Sequence, residues 1–211
     1  MKALKGYIIL IIGTFFMGLG IALTKCSGLG VSTISSVPNV LSIRFAAISL
    51  GVWSTVFNAI MILAQILILK KDFKPEYLLQ IPVSIIFGWC TDLGVWIFSY
   101  IPANIYVIKI VLSVTGVVLL GFGIALTAVS GKVMNPAEAI VKVIADKMNK
   151  DFGNTKIAFD VFCVLLATVI SLICFDFRIV GVREGTIIAM FGTGICVKCF
   201  MKLFKRRNYG A

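Results

Sequence analysis

The stretches GLGIALTKCSG (Gly18–Gly28) and GFGIALTAVSG (Gly121–Gly131) are nearly identical, and they lie in different halves of the chain. They agree at eight of eleven positions and start 103 residues apart in a chain of 211 residues. Each contains glycine and alanine at helical spacing within an apolar run, and each ends in Ser-Gly. The repetition predicts that the two halves of the chain have related structures.

The similarity continues beyond these two stretches. LGVWSTVFN (Leu50–Asn58) aligns with FGNTKIAFD (Phe152–Asp160) at nearly the same offset. Each half therefore reads as one helix, a proline-containing connection and two more helices. The matched positions are Gly51 with Gly153, Phe57 with Phe159, Asn58 with Asp160, Phe87-Gly88 with Phe191-Gly192, and the prolines Pro38 and Pro136.

The composition is that of a membrane protein. The chain is 60% hydrophobic and only 14% charged, whereas soluble domains are close to half apolar and a quarter charged. Six apolar runs are long enough to cross about 30 Å of hydrocarbon as helices. We predict spans at Gly6–Thr24, Gly51–Leu69, Leu78–Tyr100, Ile105–Ser130, Ile157–Phe177 and Gly185–Met201.

Three spans per repeat is an odd number, so the second half enters the membrane upside down relative to the first. The predicted fold is an all-α integral membrane protein of six transmembrane helices. It consists of two inverted-topology three-helix repeats, residues 1–104 and 105–211, in one membrane domain. Inverted repeats of this kind are common among transporters.

An amphipathic or re-entrant segment is expected after the first helix of each repeat. The first, after Ser27, is apolar enough to lie in the interface or to dip into the protein. The second is a helix with Asn135 as N-cap, Pro136 at its first position and Glu138 near its positive end. Its apolar face suits the cytoplasmic lipid surface. That face comprises Ile140, Val141, Val143, Ile144, Met148 and Phe152.

The net charge of +11 does not indicate a nucleic-acid partner, because the basic residues lie at the ends of apolar runs. With the N-terminus in the cytoplasm, fifteen of the twenty lysines and arginines fall on the cytoplasmic side. This asymmetry predicts that both termini are cytoplasmic. The chain has six cysteines and no histidine. The usual metal ligand is therefore missing, and we expect no metal site and no cofactor.

Three polar residues within the spans are candidates for a substrate or coupling site: Asp92, Asn58 and Asp160. A carboxylate in hydrocarbon costs about 3 kcal/mol or more, so it normally faces a cavity or a partner. Asp92, in the third span, is predicted to line a substrate or proton path. The alternatives are a structural hydrogen bond or ion pair, and a misplaced boundary of the span. For Asp160 the alternative is an ion pair with Lys156, one turn earlier.

The repeated helices contribute further candidates. Hydroxyl groups at the two helix ends could bind free carbonyl groups or a solute, and the sequence does not separate these roles; they belong to Thr24, Ser27, Thr127 and Ser130. A stripe of small residues favours close helix packing. It comprises Thr14, Gly18 and Ala22 in the first half, with Gly121 and Ala125 in the second.

These motifs resemble those of the YczE/YyaS/YitT-type bacterial membrane proteins. The elements that carry the resemblance are G-x-G-I-A-L…S-G-x-G with a following proline, and Gly51 separated by six residues from Asn58. The resemblance covers nearly the whole chain in layout. It implies a multi-pass protein of the bacterial cytoplasmic membrane, and it brings no substrate and no catalytic residues.

The predicted function is a small secondary transporter or exporter, with a midplane site between the repeats for an unknown and possibly proton-coupled solute. The sequence contains no nucleophile elbow, P-loop or metal-ligand cluster, so no enzyme is indicated. Two alternatives stay open. One is a non-transporting membrane partner or regulator of an enzyme complex, and the other is the substrate-binding subunit of an energised importer. A homodimer or a membrane-protein partner is compatible with each.

Overall fold

The computed structural model describes the main chain of residues 2–208 and the side chains of residues 4–204. Part of the predicted cytoplasmic charge, on Lys2, Lys205, Arg206 and Arg207, lies outside the described side chains. Within the described range every regular element is helical. The α-helices are α1 (Lys2–Cys26), α2 (Ser36–Arg44), α3 (Leu50–Leu69), α4 (Gln80–Phe98), α5 (Tyr106–Val129), α6 (Pro136–Lys147), α7 (Phe152–Cys174) and α8 (Glu184–Asn208), and two short 3-10 turns cover Lys70–Asp72 and Pro75–Leu79.

Six of these helices are long and apolar enough to cross a membrane, which confirms the predicted spans and the all-α integral membrane fold. Their outer surfaces expose large apolar side chains, such as Leu67, Trp89 and Ile173, each more than 70% exposed. Since lipid is the solvent there, this exposure is expected. The six segments are Leu4–Cys26, Leu50–Asp72, Pro75–Phe98, Tyr106–Val129, Phe152–Cys174 and Glu184–Phe204.

Helices α1 and α5 form the centre of the bundle and touch through glycines. A Cβ atom on Gly20 would lie 2.7 Å from the carbonyl oxygen of Gly116, and one on Gly123 would lie 2.6 Å from that of Gly13. Residue numbers rise along one helix while they fall along the other, so α1 and α5 run antiparallel. The missing side chains allow this close approach of two backbones.

These contacts recur with the offset of the sequence repeat. A Cβ on Gly20 would lie 2.6 Å from the amide nitrogen of Leu120, and a Cβ on Gly123 would lie 2.6 Å from that of Met17. Gly123 lies 103 residues after Gly20, and Leu120 lies 103 residues after Met17. The central helix pair therefore presents the same contact twice, in opposite directions.

The small-residue stripe lies on a different face of α1 and α5 from the glycines that join these two helices. Gly18 packs α1 against α4, where a Cβ would lie 2.7 Å from that of Cys90. Gly121 packs α5 against α8, where a Cβ would lie 2.5 Å from that of Cys196. Ala22 contacts Gly94 of α4, and Ala125 is fully buried. The stripe thus packs α1 against α4 in the first half and α5 against α8 in the second half. Other glycines, Gly20 and Gly123, pack the two halves together at the contact of α1 with α5.

The connection between α1 and α3 and the connection between α5 and α7 both enter the protein. Residues 29–40 are buried apart from half-buried Ile34, and α2 packs against α3 and α7. Residues 135–141 are buried as well, and α6 packs against the same two helices. The first half of α6 is therefore covered by protein rather than by lipid. Of the predicted apolar face, Ile140 and Val141 are buried, whereas Met148 and Phe152 are 55% and 41% exposed.

The two halves differ in how their last two spans meet. Helix α3 packs closely on α4, and a Cβ on Gly51 would collide with the carbonyl oxygen of Gly88. The corresponding glycines of the second half do not meet. A Cβ on Gly153 would approach only Asp151, and one on Gly192 only Val117 of α5. The first half is closed at this contact, and the second half is open.

Candidate functional site

An ionisable cluster lies where α6 meets α7, and we call Glu138, Lys156 and Asp160 the acid–lysine cluster. Lys156 and Asp160 are four residues apart on α7, so their side chains share one face of the helix. The Lys156 Nζ lies 2.6 Å from the Asp160 Oδ1. The ion pair with Lys156, which was the alternative to a substrate or coupling role for Asp160, is present, and Asp160 is 7% exposed.

Glu138 reaches this cluster through the local sequence Asn-Pro-Ala-Glu. The Asn135 side chain accepts a hydrogen bond from the Ala137 amide at 3.2 Å, and Pro136 occupies the first helical position. This cap begins α6 inside the protein and carries Glu138 to a place where it is only 8% exposed. No hydrogen bond to its carboxyl group is found among the described residues.

The environment of Glu138 favours its protonated form. Burial raises the pKa of the Glu138 carboxyl to about 7, with Lys156 opposing the rise and Asp160 adding to it. Desolvation dominates because the carboxylate would lose its hydration without gaining a direct partner. A group with this pKa can take up and release a proton near neutral pH.

Asn58 occupies on α3 the position that Asp160 occupies on α7. It is 4% exposed, and its Nδ2 has no hydrogen-bond partner among the described residues. The Ser54 hydroxyl, one turn earlier on the same helix, is also buried without a partner. Buried polar groups are usually paired, so these two mark a polar interior that the protein alone does not satisfy.

Asp92 does not lie at mid-depth. It is level with the first turn of α3, where its carboxylate accepts hydrogen bonds from the Ser49 hydroxyl at 2.5 Å and the Gly51 amide at 2.7 Å. Ser49 is itself the N-cap of α3 and accepts from the Val52 amide. A carboxylate at a helix N-terminus is stabilised by the free amides and the dipole. This geometry favours the structural alternative for Asp92.

We expect Asp92→Asn to lower the free energy of unfolding by about 1–2 kcal/mol, because it removes a charge that two donors bind at a helix N-terminus. Thermal unfolding in detergent measures the change. Asp72→Asn, at an exposed carboxylate in the 3-10 turn, is the matched control. Equal stability of Asp92→Asn and the native protein would contradict the capping role.

The hydroxyl groups at the repeated helix ends are used within the helices. Each threonine donates to the carbonyl three residues earlier, and each serine donates to the threonine carbonyl and accepts from an amide two residues later. In the first half, Thr24 donates to the Ile21 carbonyl at 2.8 Å, Ser27 donates to the Thr24 carbonyl at 2.6 Å, and the Leu29 amide donates to the Ser27 hydroxyl at 3.2 Å. In the second half, the corresponding donors are Thr127, Ser130 and the Lys132 amide, with distances of 2.8, 2.6 and 3.3 Å. Both helices therefore end by the same hydrogen-bond scheme.

A pair of buried amides closes the end of the bundle where α4 begins. The Gln65 and Gln80 side chains exchange two hydrogen bonds, at 3.0 and 3.1 Å. Gln65 also donates to the Pro136 carbonyl at 3.2 Å. The contact ties α3, α4 and α6 together. In the other half, Glu184 begins α8 as Gln80 begins α4, but it pairs with its exposed neighbour Arg183.

Comparison with known proteins gives a family. Residues 4–202 match the model of a family of unknown function, DUF6198. The chain belongs to this family. A curated relative, the uncharacterized protein YyaS of Bacillus subtilis (strain 168), is 26% identical over 200 residues, which cover 92% of each chain. This bears out the resemblance drawn from the glycine motifs. No solved structure matches.

Sequence reasoning missed several features of this DUF6198 protein. Glu138 was recognisable only as an acidic residue near a helix start, because its burial depends on the tertiary position of α6. The Gln65–Gln80 pair joins helices whose contact no local pattern encodes. Cys196 and Cys199 on α8 have C-x-x-C spacing, which is readable directly from the sequence, and both are free cysteines.

Proposed function

We propose that this protein is a proton-coupled secondary transporter of a small solute, built from two inverted three-helix repeats, with Glu138 as the coupling group. The observation that carries the proposal is the burial of Glu138 beside Lys156 and Asp160, on a helix that connects two membrane spans. Ionisable groups with strongly perturbed pKa values are concentrated at functional sites.

The contacts of the central helices support the inverted arrangement. Antiparallel α1 and α5 repeat one set of glycine contacts with the offset of the sequence repeat. The buried connections that follow them therefore leave from opposite ends of the bundle. Transporters with inverted repeats commonly use interrupted helices of this kind to line their sites.

The difference between the halves supports a transport cycle. The first half is closed by the Gly51–Gly88 contact and by the Gln65–Gln80 amides, whereas the second half lacks a counterpart of either. If the repeats exchange these two arrangements, access to the interior changes from one end to the other. Rocking of one repeat against the other is the usual mode of alternating access.

Glu138 replaces Asp92 as the proposed coupling residue. The Asp92 carboxylate accepts hydrogen bonds from two donors at the N-terminus of α3. Protonation of Asp92 would weaken these hydrogen bonds. Glu138 has no such partner among the described residues and lies beside the Lys156–Asp160 pair. Protonation of Glu138 would change the net charge of the acid–lysine cluster without breaking a hydrogen bond to its carboxyl group. We place both termini in the cytoplasm of a bacterial cell, on the charge asymmetry.

The test is solid-supported-membrane electrophysiology on proteoliposomes of the purified protein. Pools of amino acids, hydroxy acids, amines and sugars are applied with and without a pH gradient. We expect one pool to give a current that the gradient enhances. Glu138→Gln should abolish the proton-driven part of the current, because a glutamine side chain cannot bind and release a proton at these pH values. Glu76→Gln, at an exposed carboxyl group, should leave it unchanged.

Two outcomes would contradict the proposal in different ways. If folded protein gives no response above empty liposomes with any pool, a non-transporting membrane partner becomes the better explanation. If transport occurs and Glu138→Gln retains its full proton dependence, the protein is a transporter but Glu138 is not its coupling residue.

A further inference from the structure

A cleft opens at the end of the bundle where α1 ends, which we call the Lys25 cleft. It has a volume of about 340 Å³ and lies between the connection after α1, helix α2 and the connection from α7 to α8. This volume is at the lower end of the range for small-molecule sites. The residues that decide its chemistry are Lys25, Val31, Asn39, Ile43, Val180 and Arg183.

The charged groups that line the cleft are both cations. The Lys25 Nζ donates to the Ser42 hydroxyl at 2.7 Å, which leaves two of its three N–H groups for a ligand. Arg183 forms an ion pair with Glu184 at 3.0 Å and donates to the Gly28 carbonyl at 3.2 Å. No carboxylate is among the lining residues of the cleft. Asp92 of α4 does not line the cleft but acts electrostatically on Lys25. Within the cleft, Lys25 offers two free N–H donors on a cationic group to a bound ligand.

Asn39 adds a polar group that has no partner. Its side chain is 97% buried, and the Nδ2 donates to the Gly181 carbonyl at 3.0 Å. The Oδ1 is buried and has no hydrogen-bond partner among the described residues. Ser42 connects this residue to Lys25, because its hydroxyl donates to the Asn39 carbonyl at 2.9 Å. An unpaired buried acceptor costs free energy, and a ligand with an O–H or N–H would satisfy it.

The remaining walls of the cleft are aliphatic. Val31 is fully buried at its base, and Ile43, Ile179 and Val180 form its sides. Branched side chains of this kind bind the apolar body of an organic ligand rather than a hydrated inorganic ion. The cleft thus combines one ammonium group with two free N–H donors, one unpaired acceptor and an apolar surface.

We propose that the Lys25 cleft binds a small branched aliphatic carboxylate that bears a hydroxyl group on the adjacent carbon. The carboxylate pairs with Lys25, the hydroxyl group donates to the Asn39 Oδ1, and the aliphatic body contacts Ile43 and Ile179, which line the cleft and are exposed. This site goes beyond the proposed transport function and does not depend on it, since a binding subunit would need it equally.

Isothermal titration calorimetry on the detergent-purified protein tests the site with four probes. They are 2-hydroxy-3-methylbutanoate, L-valine, 3-methylbutanoate, which lacks the donor, and 3-methylbutanol, which lacks the carboxylate. We expect saturable binding of the hydroxy acid and about tenfold weaker binding of 3-methylbutanoate. Valine should bind more weakly than the hydroxy acid because its ammonium group would lie beside two cations, and the alcohol should not bind. One hydrogen bond to a buried acceptor accounts for a factor of this size.

The variants assign the two contacts separately. Asn39→Ala should bind the hydroxy acid no more tightly than 3-methylbutanoate, and Lys25→Met should bind no carboxylate. Lys25→Arg should retain binding. Lys109→Met, in α5 and outside the cleft, is the matched control and should behave as the native protein. If Lys25→Met does not fold, discrimination between 3-methylbutanoate and 3-methylbutanol by the native protein decides the charge requirement.

Other outcomes overturn the proposal. It is wrong if the alcohol binds as well as the acids, if no probe binds, or if binding is unaffected by both Asn39→Ala and Lys25→Met. It is also wrong if an anionic phospholipid in nanodiscs raises the thermal stability of the protein and none of the four probes does. The cleft would then hold a lipid headgroup. Binding in detergent involves no transport, so its failure leaves the flux experiment on Glu138 untouched.

Discussion

Replacement of Gly20 by alanine is expected to destabilise the protein by about 2–3 kcal/mol, as overpacking of a tightly packed interior does. The new Cβ would lie 2.6 Å from the Leu120 nitrogen and 2.7 Å from the Gly116 oxygen. Both are backbone atoms and cannot rotate away, so α1 and α5 would have to separate. Unfolding in mixed detergent and SDS micelles measures the free energy.

The repeat supplies a second variant and the chain supplies the control. Gly123→Ala places its Cβ at the equivalent contact, 2.6 Å from the Met17 nitrogen, and should cost as much as Gly20→Ala. Gly194→Ala, in α8, meets nothing within 4 Å and should stabilise its helix by about 0.5–1 kcal/mol. If Gly20→Ala and Gly194→Ala unfold alike, the central helices do not meet as described.

The sequence predicts the helices of this protein well, because membrane spans are set by apolar length and little else. It also predicts the Asn135 cap and the Lys156–Asp160 pair, since both depend on residues within one turn of each other. The repeat predicts that Gly20 and Gly123 are equivalent. It does not predict that they bring α1 and α5 together, because the choice of helix face depends on all the neighbouring helices.

The candidate site was less predictable, and Asp92 and Glu138 show why. Asp92 lies within an apolar run, so its position along the chain suggested depth, but the adjacent N-terminus of α3 stabilises it. Glu138 lies in a Lys-rich segment that resembles a surface helix, yet the connection before it turns into the protein. In both cases the environment of the carboxyl group is set by another helix.

The sequence likewise does not predict that α7 and α8 lie apart. Gly153 and Gly192 occupy the positions of Gly51 and Gly88, so the repeat alone predicts a second closed contact. Symmetry in the sequence is compatible with asymmetry in the structure. In the transport cycle proposed above, the two halves differ at any moment, so the proposal expects such a difference in any one conformation.

Replacement of Glu138 by glutamine is expected to stabilise the protein by about 3 kcal/mol at pH 8 and to have little effect near pH 4. The native carboxyl group has its pKa raised to about 7. In the unfolded chain the group ionises near its ordinary value of 4.5. Between these values the unfolded state binds fewer protons than the native state, so native stability falls as pH rises, by about 1.4 kcal/mol per pH unit. Glutamine cannot ionise and removes this loss.

The measurement is the difference in unfolding free energy between the variant and the native protein from pH 4.5 to 8, in the same micelles as above. The chain has no histidine, and Lys156 and Asp160, which face Glu138 from α7, are present in both proteins. Other titrations therefore largely cancel in the difference. Glu76→Gln should give a flat difference across the range. A flat difference for Glu138→Gln would show that Glu138 ionises normally, and the group could then not hold its proton at the pH where coupling requires it.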